Sequence, residues 1–186
     1  MRPFGHNPGM DLRLRPLRPA DEGTFRAAHA AMAAENFEFG LGYVPTMPWP
    51  DYLERLDRTR HGIDLPDDRV PATFLVADVG GCMVGRSSIR HTLNEYLARE
   101  GGHIGYCVTV EHRRCGFATE ILRQSLIVAR SVGVTLALLT CDDDNTGSAT
   151  VIERCGGVFD SYVVPAGPTG AGGSRAPIRK RRYWFA

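Results

Sequence analysis

The 186-residue sequence lacks most of the features that announce a function at once. It has no G-x-G-x-x-G fingerprint and no Walker lysine, so neither of the common nucleotide-binding loops is present. Its five cysteines, Cys82, Cys107, Cys115, Cys141 and Cys155, are odd in number and form no C-x-x-C pair. Structural zinc and a disulfide framework are therefore disfavoured, and a reducing, cytoplasmic setting fits. No apolar run approaches the roughly 18 residues of a membrane span. The opening "MRPFGHNPGM" has no apolar stretch of the signal-peptide kind, and residues 1–10 are expected to be a flexible tail. A net charge of +1 gives no global field for nucleic acid or membranes, so any charged partner must be recognised locally. No internal repeat occurs.

What is there is an ordinary globular composition, 43% hydrophobic and 23% charged, of a length that suits one domain over 11–186. Residues 11–17, "DLRLRPL", alternate like a strand, and "PADEGTFRAAHAAMAAE" reads as a helix opened by Asp21 and Glu22. The stretch 36–50 mixes aromatics with Gly and Pro and reads as loop, followed by a short helix over about 51–60. Segments 72–79 and 82–90 flank Gly80-Gly81, a hairpin signal. Residues 92–100 suggest a helical turn, and 103–110, "HIGYCVTV", a strand. From Ala118 the period becomes helical, through Ile121, Leu122, Ser125, Leu126 and Ala129, with Gly133 as its stop. "VTLALLT" (134–140) is the continuous apolar run of a doubly covered strand. A helix over 147–155 and strands near 157–164 and 178–185 complete the chain, with a Gly/Pro-rich connector at 165–177. The pattern is mixed α/β.

The chemical signal lies in "VEHRRCGFATEIL" (110–122). A strand ends there and a helix begins, so the first amides of the helix have no partners and carry partial positive charge. Gly116 permits close approach to the backbone, and Arg113 and Arg114 add full charges. These features suit a phosphate or pyrophosphate. A solvated turn accounts for them equally well.

The stretch resembles the acetyl-CoA loop of the GNAT N-acetyltransferase superfamily, [RQ]-x-x-G-x-[GA], at Arg113, Gly116 and Ala118. "GGHIGYCV" is similar to the family's central strand. "LALLTCDDDNTGSATVIERCGGVF" is similar to its next strand and helix, with Asn145, Ser148 and Gly156 at matching positions. "RHTLNEYLAREGGHIGY" further resembles a branch of small predicted acetyltransferases. The likeness implies an α/β (α+β) fold, with a mixed central sheet of six to seven strands flanked by helices. That sheet is splayed between two parallel strands, here 103–110 and 134–140.

It also implies acetyl-CoA as co-substrate, with no metal. The pantetheine arm would pair near Val108 and Val110. The pyrophosphate would lie on the amides of Arg114, Cys115, Gly116, Phe117, Ala118 and Thr119, flanked by Arg113. Asn145 and Ser148 would stand beside the pantetheine or thiol. The acceptor would be an amine of a small molecule or peptide, and a homodimer is common in such proteins.

An alkylamine with pKa about 10.4 costs about 4–5 kcal/mol to deprotonate at pH 7, so a base or water relay is needed. His103 is the candidate base, against a strand-end histidine that bonds a neighbour. The Val108 N–H is the candidate donor to the developing oxyanion. Where the family often supplies a thiol-protonating Tyr, this chain has Ile152, which leaves Ser148 or water for that task.

Several weaker features carry two readings each. Cys115 is a redox thiol or a small filler, and Asp142, Asp143 and Asp144 attract a cationic amine or form a turn. Phe37, Phe39, Tyr43 and Trp49 line an acceptor pocket or pin a loop to the core. His91, Asn94 and Glu95 reach the cleft or cap a helix. Arg179 to Arg182 bind nucleic acid, an unfavoured partner here, or protect an edge strand. Rival functions are an acyl-CoA sensor without turnover, a longer acyl donor, or a hydroxyl acceptor.

Overall fold

The structure, a computed structural model, describes residues 11–165 and 178–186. The expected N-terminal tail and nearly all of the 165–177 connector lie outside the described residues. Seven strands and four α-helices follow one another as β1 (Leu12–Arg15), α1 (Glu22–Ala33), α2 (Trp49–His61), β2 (Ala72–Val79), β3 (Cys82–Arg90), β4 (Ile104–Val108), α3 (Phe117–Ser131), β5 (Ala137–Asp142), α4 (Thr146–Arg154), β6 (Val158–Val163) and β7 (Lys180–Phe185).

The strands form two antiparallel sheets, ordered β1-β2-β3-β4 and β5-β7-β6. The β2–β3 hairpin turns at Gly80 (φ 58°) and Gly81 (φ 89°), a conformation that glycine adopts at little cost. Gly85 has a different purpose. A Cβ there would lie 2.3 Å from the Cys107 carbonyl oxygen, so only glycine lets β3 and β4 close up under Ile121 of α3.

Helix α3 buries Ile121, Leu122, Ser125, Leu126 and Ala129, the stripe that the 3-and-4 spacing predicts. Its one polar member is satisfied: Ser125 Oγ donates to Ser87 Oγ and lies within bonding distance of the Ile121 carbonyl. The helix stops at Gly133 (φ 92°), and the Val134 N–H folds back to the Ala129 carbonyl. Val134 is thereby used by the helix end, and β5 begins at Ala137, three residues later than the apolar run suggests.

Three buried clusters result among the described residues. One joins α3 and α4 to both sheets around Leu122, Leu139, Ile152 and Tyr183. A smaller one lies under α3 around Leu12, Ala77, Val84 and Ile121. The third is aromatic and sits on the opposite face of the first sheet. There Phe25 contacts Phe39, Tyr43, Trp49 and Tyr52 with ring centroids 5.1–5.7 Å apart. Of the loop aromatics, Phe39, Tyr43 and Trp49 are thus buried as core pins, not pocket walls.

At the outer edge Arg15 of β1 holds Asp21 (2.6 Å) and Asp78 (2.7 Å), all three side chains no more than 17% exposed. The Arg15 guanidinium keeps the Asp21 carboxyl below the usual carboxylate range. Such stabilisation is complete above pH about 4 and is lost as pH falls through the lower folded value. Asp21→Asn is expected to cost roughly 3 kcal/mol at pH 7 in urea unfolding. The gap from the native chain should narrow steadily below pH 4.

Candidate functional site

Strands β4 and β5 belong to different sheets and touch at one end. The His103 N–H donates to the Leu138 carbonyl (2.7 Å), and the Leu138 N–H donates to His103 Nδ1 (2.9 Å). No ladder continues from that junction among the described residues, so the strands part. Which groups of β4 face the opening follows from its other edge. Arg90 N–H bonds the His103 carbonyl, and Thr109 N–H bonds the Val84 carbonyl. Alternation then turns the backbone N–H and C=O of Ile104, Tyr106 and Val108 away from β3, towards β5. The Val108 carbonyl is approached by Arg113 Nε at 3.4 Å.

The expected strand over 103–110 ends earlier, at Val108. Val110 instead opens a 3-10 turn (Val110–His112), and its carbonyl accepts from Arg113 N–H. The cause is local. Buried Thr109 places its hydroxyl against both the Val84 carbonyl and His112 Nδ1, which bends the chain. Val110 therefore presents no extended edge.

The loop beyond is a concave row of amides. Arg114 (φ 62°) and Gly116 (φ 82°) are both left-handed, and Gly116 caps α3. Among the described residues the N–H groups of Arg114, Cys115, Gly116, Phe117 and Ala118 have no acceptor, whereas Thr119 N–H bonds the Gly116 carbonyl (3.2 Å). The two arginines differ. Arg113 is paired with Glu35 at the end of α1, through Nη1 at 3.2 Å and Nη2 at 2.5 Å. Arg114 is exposed and its side chain has no partner among the described residues. Cys115 is exposed, with Sγ 3.5 Å from the Arg113 carbonyl.

On the far side of the opening Asn145 caps α4, its Oδ1 accepting from Ser148 N–H (2.9 Å). Ser148 Oγ meets Tyr106 Oη at 3.2 Å, a contact that spans the space between β4 and α4. Burial pushes the Tyr106 phenol up to about 12, against the Ser148 bond, which favours ionisation. The link of Tyr106 to Ser148 has no local signature in the sequence. Ile152 is fully buried in the core.

His103 is 9% exposed. Burial, with the Arg90 charge nearby, lowers its pKa, so the ring is neutral at pH 7. With Nδ1 accepting from Leu138, the neutral ring carries its proton on Nε2 and has no lone pair free to take another.

Most of the remaining candidates are engaged elsewhere, while Glu95 and Asp144 are exposed. Asn94 caps the π-type turn Leu97–Gly101 through the Leu97 N–H, and His91 Nε2 lies 2.9 Å from Thr73 Oγ1. The basic run 179–182 is matched by acids: Lys180 with Asp142, Arg179 and Arg181 with Asp143, and, more loosely at 3.8 Å, Arg182 with Asp160. Among the described residues no group of three His, Cys, Asp or Glu side chains is placed to hold a metal ion. No described helix is long and apolar enough to cross a membrane.

A cavity of about 660 Å³ lies on the α2 side of the first sheet, lined among others by Leu56, Phe74, Arg90, Tyr96 and Leu97.

A family model described as an acetyltransferase (GNAT) domain matches residues 11–158. Solved structures share the fold over 94% of this chain at low identity. One is RimJ of Mycobacterium smegmatis in complex with CoA-disulfide (19% identical, 81% of that chain covered, TM-score 0.64). Another is spermidine N-acetyltransferase of Vibrio cholerae in complex with CoA and spermine (19%, 94%, 0.61). A third is yncA of Salmonella typhimurium, described as a putative acetyltransferase, with its cofactor acetyl-CoA (14%, 92%, 0.61). No curated protein matches the chain.

The His103 geometry predicts the outcome of His103→Ala. Loss of the acceptor for a buried N–H should cost about 1–3 kcal/mol in chemical unfolding. The acidic limb of the pH–rate profile, which a general base would set, should stay where it is.

Proposed function

The chain belongs to the GNAT acetyltransferase family, and from that premise we propose that it moves an acetyl group from acetyl-CoA to a primary amine by direct attack. The observation that carries this reading is the row of unpartnered amides from Arg114 to Ala118, set at the start of α3 beside the outward edge of β4. A helix N-terminus with free donors suits a pyrophosphate, and the outward groups of Tyr106 with the Val108 N–H suit an extended pantetheine amide. Bound acetyl-CoA supplies an activated acetyl thioester. Spermidine N-acetyltransferase among the similar structures supports an amine as acceptor.

The residues divide the work as follows. Arg114, with its free side chain, is the arginine that meets the pyrophosphate, while Arg113 holds the loop to α1 through Glu35. Cys115, Gly116, Phe117 and Ala118 contribute backbone donors. The Val108 N–H donates to the thioester oxygen as charge develops on it. Asn145 fixes the start of α4 and so the position of Ser148. With Ile152 in place of the family's usual tyrosine, the Tyr106–Ser148 pair takes over its task. Its phenol, protonated throughout the neutral range, gives the departing sulfur a proton or a hydrogen bond. His103 braces the closed end of the opening, and the proton of the amine leaves through water.

Two outcomes test this. Gly116→Asp puts a side chain at φ 82° and a negative charge among the amides. Acetyl-CoA affinity by calorimetry should fall at least ~100-fold with the fold intact, because the loop is exposed. Unchanged affinity would sink the assignment. Tyr106→Phe should lower kcat about tenfold and leave the acetyl-CoA affinity within about twofold.

A further inference from the structure

Two arginines of β3 lie on the same face as Gly105 of β4, and they are satisfied very differently. A Cβ at Gly105 would lie 3.7 Å from Arg86 Nη1 and 4.0 Å from both terminal nitrogens of Arg90. Each of Arg86's three nitrogens has an acceptor: Nε bonds the Phe39 carbonyl, Nη1 that of Gly105 and Nη2 that of Glu38. Arg90 gives only Nη1, to the carbonyls of Gly101 and Gly102. Its Nε and Nη2 have no acceptor among the described residues, and its side chain lines the 660 Å³ cavity.

Arg90 makes no ion pair among the described residues, and the nearby charges of Arg86 and Arg69 are of its own sign. A guanidinium keeps its charge under these conditions, and burying it without a counter-ion is costly. Ser88, two residues earlier on the same face, adds a buried hydroxyl with no partner among the described residues. The acids of the cavity are mostly matched. Glu54 and Asp64 face Arg58, and Asp68 faces Arg69. The polar capacity left over at the β4 end is therefore cationic.

We propose that this cavity receives an acceptor carrying an anionic oxyacid group, a carboxylate or a phosphate, which docks on Arg90 while its amine is directed to the opening between β4 and β5. This rests on the acyl-transfer reading for the fate of the amine, and on Arg90 alone for the anion. A planar fork with two donors free matches two oxygens of one oxyacid. A polyamine, by contrast, would meet an uncompensated positive charge at this end, and of the acids that line the cavity only Asp51 is not engaged by an arginine among the described residues.

The test is calorimetric titration of the whole chain with matched pairs: α-amino acids against their carboxamides, and phosphoethanolamine against ethanolamine. The two arms separate carboxylate from phosphate. The acid-bearing member of one pair should bind at least ~10-fold more tightly. That preference should vanish in Arg90→Gln and persist in part in Arg90→Lys. Equal affinities within both pairs for the unaltered chain, or no binding by any member, overturn the proposal without recourse to a variant. So does a preference that survives Arg90→Gln. CoA release from acetyl-CoA with neutral amines only would overturn the anionic acceptor and leave acyl transfer standing. Acid-selective binding with no CoA release from any amine would support the cavity assignment and remove the transfer.

Discussion

Two hydrogen bonds between His103 and Leu138 hold the architecture together where it is about to divide. They fasten the first sheet to the second at one point, and everything beyond depends on their going no further. Had the ladder continued, the backbone groups of Tyr106 and Val108 would be consumed by β5, and the chain would have one closed sheet and no opening. Because it stops, the unsatisfied edge of β4, the amide row of the loop and the Tyr106–Ser148 contact all border the same space. A buried imidazole suits the junction because it offers an acceptor in line with a strand amide while its own main chain donates. Its usefulness there is what takes it out of proton transfer.

Much of this was legible in the sequence wherever the cause is local. Gly80-Gly81 marked both ends of the hairpin to the residue, and the Ile121–Ala129 stripe named the buried face of α3. The amide cradle was legible from Gly116 at a strand-to-helix change. Boundaries were misread where a side chain or a cap intervenes. Thr109 ends β4 early, and the Gly133 stop claims Val134 from β5.

What could not be read is what distant residues do to one another. Nothing near Arg113 shows that Glu35 will hold it, so two adjacent arginines looked equivalent when one is a brace and the other a free charge. The partners of Arg179–Arg182 are equally remote in sequence, though Asp142 and Asp143 were visible as an acidic turn. Arg90 is the clearest case. In "SSIRHT" it is an unremarkable strand residue, and its significance lies only in which carbonyls reach it and which carboxylates do not.

The order of the second sheet has a kinetic consequence. β5 and β6 never pair; each pairs with β7, so that sheet exists only once Ala137 stands opposite Phe185. Hairpin β2–β3 and its neighbour β4 close over short separations, whereas the other sheet must wait for a long loop to close, and such non-local pairing is slow. The β2–β3–β4 side of the opening is thus expected to form before the side that carries Ser148, which waits for β7, the last strand of the chain.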